Sequence, residues 1–141
     1  KMVPARVIAP DETPDADYPY ILSTGRQLEH WHTGAMTRRS FVLDAVNPEP
    51  VVQMNATDIM KLGIKAGDMV RVSTRRGEVE IMVRQDDQVP TGAIFIPFAF
   101  VEAAANLLTN AALDPYGKIP EFKFCAASVV PAGNERMAAA E

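Results

Sequence analysis

Ile64-Lys65-Ala66-Gly67-Asp68, then Met69-Val70-Arg71-Val72-Ser73-Thr74, Arg75-Arg76-Gly77 and Glu78-Val79-Glu80-Ile81-Met82-Val83-Arg84, is the stretch that decides the fold class. Both longer runs alternate apolar with polar residues, the period-two signature of half-buried strands, so they make a hairpin entered through a Gly-Asp turn. Arg75 and Arg76 beside Gly77 read as a solvated tip. Upstream, Val51 to Met54 reads as a short strand, and Asn55, with Asp58 three residues on, caps a helix from Ala56 to Leu62 that Gly63 stops. Pro19 to Ser23 reads as a buried strand, Ala93 to Ile96 as another, and Phe124 to Val130 as a closing strand; Glu102 to Thr109 reads as a short Ala-rich helix. Many short strands and few helices predict a mainly β fold closed into a small barrel, because closure removes exposed edges.

A chain of 141 residues, 48% hydrophobic, is one domain with one substantial core. With 14 basic against 18 acidic residues the net charge is −4, which gives no general attraction to nucleic acid or to anionic membranes. No apolar run is long enough for a membrane span. One cysteine makes no internal disulfide and suits a reducing, cytoplasmic setting. The composition divides the chain into a proline-bearing polar linker (1–17), leading in from upstream domains, a folding unit (18–130) and a tail (131–141) in which Glu135 to Ala140 forms a marginal helix.

Thr24-Gly25-Arg26-Gln27-Leu28-Glu29-His30-Trp31-His32-Thr33-Gly34-Ala35-Met36-Thr37-Arg38-Arg39 holds the ligand-type chemistry: two glycines, two histidines, three threonines and three arginines in sixteen residues. Glycines let backbone amides approach a ligand, while hydroxyls, imidazoles and Arg forks suit phosphates and nitrogen-rich fused rings. Trp31, with its large apolar area, is expected in the core.

The run from Thr24 to Ser40 resembles the signature opening the molybdopterin dinucleotide-binding domain, the C-terminal domain of molybdenum- or tungsten-dependent formate dehydrogenase catalytic subunits. A second block strengthens the resemblance: Pro97-Phe98-Ala99-Phe100-Val101-Glu102-Ala103-Ala104-Ala105-Asn106-Leu107-Leu108-Thr109-Asn110, then Leu113-Asp114-Pro115 and Ile119-Pro120-Glu121-Phe122-Lys123-Phe124-Cys125-Ala126. It implies a double-psi β-barrel, whose Gly-Asp turn Gly67-Asp68 resembles, and a bis-molybdopterin guanine dinucleotide cofactor. It also implies that the Mo or W ion, its Cys or selenocysteine ligand, the His and Arg acting on formate and the iron-sulfur cluster belong to upstream domains of the same subunit, with electron-transfer subunits as further partners. Formate oxidation to CO2 is then the whole subunit's reaction. This chain binds and positions and is by itself inactive.

The residues the resemblance assigns to the cofactor are Thr24, Gly25, Arg26, His30, His32, Thr33, Gly34, Thr37, Arg38, Asn106, Asn110 and Lys123. Each has a plainer role to set beside it. An imidazole can be satisfied by backbone carbonyls. Asn110 either presents its amide with Asn106, one helical turn away, or caps a helix. Lys123 can be merely exposed, and Cys125 behaves as a small core residue. His30, His32 and Cys125 fall short of the four compact ligands of a structural zinc site, so no metal is expected here. The competing reading is an autonomous double-psi barrel acting as a protein-interaction or regulatory module; it leaves the ligand-type residues of Thr24 to Arg39 unexplained.

Overall fold

The computed structural model describes residues 2–4 and 6–133, so the expected helix at 135–140 lies outside the described residues. The elements are β1 (Tyr20–Gly25), α1 (Phe41–Val46), β2 (Val51–Met54), α2 (Ala56–Lys61), β3 (Met69–Ser73), β4 (Glu78–Gln85), β5 (Ala93–Pro97) and β6 (Cys125–Pro131), with single 3-10 turns at Thr37–Arg39 and Ala105–Leu107. The six strands close in the order β1-β5-β2-β4-β3-β6. β1 runs parallel to β5 and β2 parallel to β4, while the remaining neighbours are antiparallel. This is the mainly β, double-psi barrel class that the sequence led us to expect.

The hairpin has the expected register, with Val70 opposite Ile81 and Val72 opposite Val79, all four buried toward the barrel interior. Thr74 N–H donates to the Gly77 carbonyl at 2.9 Å and closes the tip. Gly67 adopts φ 93°, which lets its N–H reach the Val83 carbonyl at 2.8 Å while Val83 N–H returns to Asp68 at 2.9 Å. The core is Leu22, Val52, Met54, Val70, Val72, Ile81, Ile94, Ile96 and Leu108 with their neighbours. Each such side chain contributes about 1.5–3 kcal/mol through burial. Cys125 belongs to this core, and burial pushes its thiol up.

At α2, Asn55 accepts the Thr57 N–H as the expected cap. Asp58 does not turn back to the cap. Its carboxylate, 2% exposed, accepts the Gly92 N–H at 2.6 Å and pairs with Lys61, tying the helix to the approach of β5.

The structure departs from expectation in four places. The Ala-rich segment from Glu102 to Thr109 contains only the 3-10 turn Ala105–Leu107. It is too short to nucleate a helix on propensity alone, and the Leu108 carbonyl is taken instead by the Thr74 hydroxyl and the Arg76 guanidinium. α1 was not anticipated, because it buries no residue and has no apolar face toward the barrel: Phe41, Val42 and Val46 are all exposed. Trp31 is not in the core; it is 59% exposed beneath the Arg26 guanidinium, which lies 5.0 Å from its ring centroid. The Arg75-Arg76 tip is not simply solvated. Glu12 bridges both arginines, Asp15 pairs with Arg75, and Arg75 also lies over the Tyr18 ring. The residues before β1 thus run across the hairpin tip, with Asp11 accepting from the Asn110 amide at 3.3 Å. No helix among the described residues is long and apolar enough to cross a membrane.

Candidate functional site

β1 carries Thr24 and Gly25 at its end, and the chain then turns through residues 26–36 before the 3-10 turn at Thr37. Two left-handed residues make that loop compact: His32 at φ 53° and Gly34 at φ 74°. Gly34 is required twice over, since a Cβ there would sit 2.8 Å from the Ala99 carbonyl oxygen. The Gly34 N–H closes on the Trp31 carbonyl, and the Thr37 hydroxyl accepts the Trp31 N–H at 3.0 Å.

This loop is lashed to the segment after β5. His30, fully buried, donates through Nε2 to the Asn47 carbonyl and packs edge-on against Phe100 at 5.4 Å between centroids. Arg38 covers the same ring at 4.8 Å and donates from Nη1 to both Glu102 carboxylate oxygens, at 2.8 and 2.7 Å, and from Nε to Asp44. The Arg38 hydrogen bond holds the Glu102 carboxyl below the usual carboxylate range, and Glu102 in turn raises Arg38.

The consequence is a cleft of about 320 Å³ between the two sequence blocks, lined by His32, Thr33, Phe98, Asn106, Thr109, Asn110, Pro120 and Phe122. His32 packs edge-on against Phe98 at 5.3 Å. Asn110 is fixed by its own backbone N–H on the Cys125 sulfur and by its side-chain oxygen on the Ala112 N–H. So the amide acts as a local cap and also lines the cleft.

The assigned residues therefore separate by position. His32, Thr33, Asn106 and Asn110 line the cleft. Thr24, Gly25 and Lys123 form a layer beside it: Lys123 Nζ donates to the Thr24 carbonyl at 3.2 Å, and a Cβ on Gly25 would meet the Phe95 ring at 2.7 Å. Arg26 is exposed over Trp31, and His30, Gly34, Thr37 and Arg38 hold the loop in shape. Phe98, Thr109, Pro120 and Phe122 were not singled out from the sequence, although all lie in the second block. The available signal was an aromatic or Pro standing outside any strand period next to a ligand-rich loop. Among the described residues no group of three His, Cys, Asp or Glu side chains is placed to hold a metal ion.

Chemically the cleft combines two aromatic faces with amide, hydroxyl and imidazole groups. Amides and hydroxyls both donate and accept, so the donor set fits a flat, nitrogen-rich heterocycle with a mixed hydrogen-bonding edge.

The chain is similar to known proteins along most of its length. The family model for the molydopterin dinucleotide binding domain matches residues 20–126. The F420-dependent formate dehydrogenase 1 subunit alpha of Methanococcus maripaludis is 50% identical over 121 residues, 85% of this chain and 18% of that protein. The F420-dependent formate dehydrogenase subunit alpha of Methanocaldococcus jannaschii is 46% identical over 129 residues, 92% of this chain and 19% of that protein. This chain thus spans about a fifth of the length of these curated relatives. Among solved structures, acetylene hydratase from Pelobacter acetylenicus superposes with a TM-score of 0.73 over 82% of this chain and 18% of its own, at 19% identity, a likeness of fold.

Proposed function

Since the chain belongs to the molydopterin dinucleotide binding domain family, we propose that it binds and positions bis-molybdopterin guanine dinucleotide as one domain of a formate dehydrogenase alpha subunit. The observation that carries this reading is the cleft itself. Residues of the signature loop, His32 and Thr33, share it with Asn106 and Asn110 of the second block, between Phe98 and Phe122. Phe98 and Phe122 exclude water and offer flat faces to a fused ring. The Asn106 and Asn110 amides and the Thr33 and Thr109 hydroxyls supply the paired donors and acceptors that a pterin or guanine edge needs. His32 adds one further nitrogen at the rim.

When bound, the cofactor supplies the redox chemistry, the two-electron oxidation of formate to CO2 in the whole subunit. The Mo or W ion and the iron-sulfur cluster are assigned to other domains of that subunit, and electron-transfer subunits are its further partners. What these residues do is orient and enclose.

The test is titration of the isotope-labelled chain with GMP and, separately, with a soluble pterin such as pterin-6-carboxylate. With one side of the cleft open, affinity is expected in the millimolar range, about −4 kcal/mol. Amide shifts at His32, Thr33, Asn106, Asn110 and Phe122, with none at Arg75 to Gly77, support the reading. Shifts confined to that hairpin tip would overturn it in favour of an interaction module.

A further inference from the structure

Thr24 has the position of a ligand-binding residue in sequence and the environment of a structural one in space. It is the next-to-last residue of β1, beside the cleft, yet it is 0% exposed. Its hydroxyl donates to the Phe122 carbonyl at 2.7 Å across 98 residues of chain. In the other direction the Lys123 ammonium donates to the Thr24 carbonyl at 3.2 Å and lies 5.6 Å from the Phe122 ring centroid.

The strand register explains why this clasp exists. β1 and β6 pair antiparallel, Tyr20 with Ala127, Ile21 with Ala126 and Leu22 with Cys125, and there the ladder stops. Continuing the same register sets Thr24 opposite Lys123. On the far side, Glu121 N–H is held by the Ala112 carbonyl and Pro120 bridges Leu113. Phe122 to Phe124 thus leave the ladder between two fixed points, and side chains take over from backbone pairing across the gap. The Phe122 carbonyl points back to Thr24 while its ring lines the cleft.

We propose that Thr24 is a positioning residue: its hydroxyl fixes the Phe122 backbone and thereby sets the Phe122 ring as a wall of the cleft, without touching the ligand itself. The inference takes its ligand class from the proposed cofactor function, while the clasp and its effect on Phe122 stand without any ligand. A hydroxyl on a β-branched frame does this work well, because χ1 is stiff and the donor cannot swing out. Valine keeps the frame and loses the donor. Serine keeps the donor and loses one methyl.

The experiment compares Thr24→Val, Thr24→Ser and Lys123→Met with the unaltered 141-residue chain. Without ligand, the readouts are the amide shifts and aromatic contacts of Phe122; with GMP or pterin-6-carboxylate, the readout is affinity. Thr24→Val should displace Phe122 signals while leaving those of Val70, Val72 and Ile81 in place, and should weaken the better probe about tenfold, a loss of about 1.4 kcal/mol. Thr24→Ser should restore both, and Lys123→Met should move Phe122 less than valine does. The proposal is overturned if valine leaves Phe122 in place, or if serine fails to rescue it. Should the unaltered chain bind neither probe, the cofactor reading of the cleft fails, while the ligand-free Phe122 comparison still decides the role of Thr24.

Discussion

His30 donates its Nε2–H to the carbonyl oxygen of Asn47 at 2.8 Å, seventeen residues along the chain. Since a carbonyl only accepts, Nε2 carries the hydrogen of this bond, and Nδ1 is buried without a hydrogen-bond partner among the described residues. Asn47 is itself a hub, its amide donating to Glu29 and accepting from Arg84. The imidazole therefore holds the signature loop to β4 through Asn47. Replacing His30 with Leu should lower stability by about 1–3 kcal/mol, because it strands a buried carbonyl. Thermal melts check this, and an unchanged melting temperature would remove His30 from the scaffold.

Gly34 and Gly63 both have positive φ, 74° and 67°, but only Gly34 is crowded. Gly63→Ala meets nothing within 4 Å and should cost about 1 kcal/mol from the left-handed backbone alone. Gly34→Ala must in addition displace the Ala99 carbonyl and should cost about 2–4 kcal/mol. Denaturant midpoints of the two variants give the comparison; equal losses would mean that the loop moves freely away from Ala99.

Acid should loosen the loop before it unfolds the barrel. The Arg38 hydrogen bond depresses Glu102, and for Asp114 the backbone N–H groups of Ile119, Gly117 and Tyr116 do the same. Carboxyls whose folded pKa is lowered contribute stability that is present above their unfolded pKa and lost as pH falls through the folded one. The loss therefore sets in below about pH 4. Both groups are solvent-accessible, so salt will shrink the effect. Glu102→Gln should flatten this acid limb for the amides of residues 26–39, and an unaltered limb would assign the acid response elsewhere.

The crossing formed by residues 11–15 rests on charge. Glu12→Ala removes the partner shared by Arg75 and Arg76 and frees the Asp15 pair to fray. Amide exchange should accelerate at residues 11–17 and at the side-chain amide of Asn110, which donates to Asp11, while Val70 and Val72 stay protected. In 1 M salt the unaltered chain should approach the variant's behaviour. Equal exchange in low salt would show that the crossing stands without Glu12.

Where the sequence was legible, the physics was local. The β3–β4 hairpin announces itself by period-two alternation, and α2 by the Asn55 cap and Gly63. α1 was invisible because Phe41-Val42-Leu43-Asp44-Ala45-Val46 buries nothing and so has no periodic face to read. The roles within the site were equally hidden. The resemblance marks Thr24, His30 and His32 alike as cofactor-binding candidates, but burial divides them, and the partners that do so, Phe122 and Asn47, lie 98 and 17 residues away. Composition likewise made Arg75 and Arg76 look like free cations. Their carboxylate partners come from a proline-bearing stretch with no pattern at all.

The ring of β1-β5-β2-β4-β3-β6 engages both neighbours of every strand. A sheet with a free edge can recruit a foreign segment by extending its ladder, as β-augmentation does. A closed ring has already used that valence. Whatever assembles around this barrel must therefore grip it by side chains and connecting segments, and its contacts are free to vary in sequence without disturbing the hydrogen-bonded hoop from which the connections carrying Phe98 and Phe122 emerge.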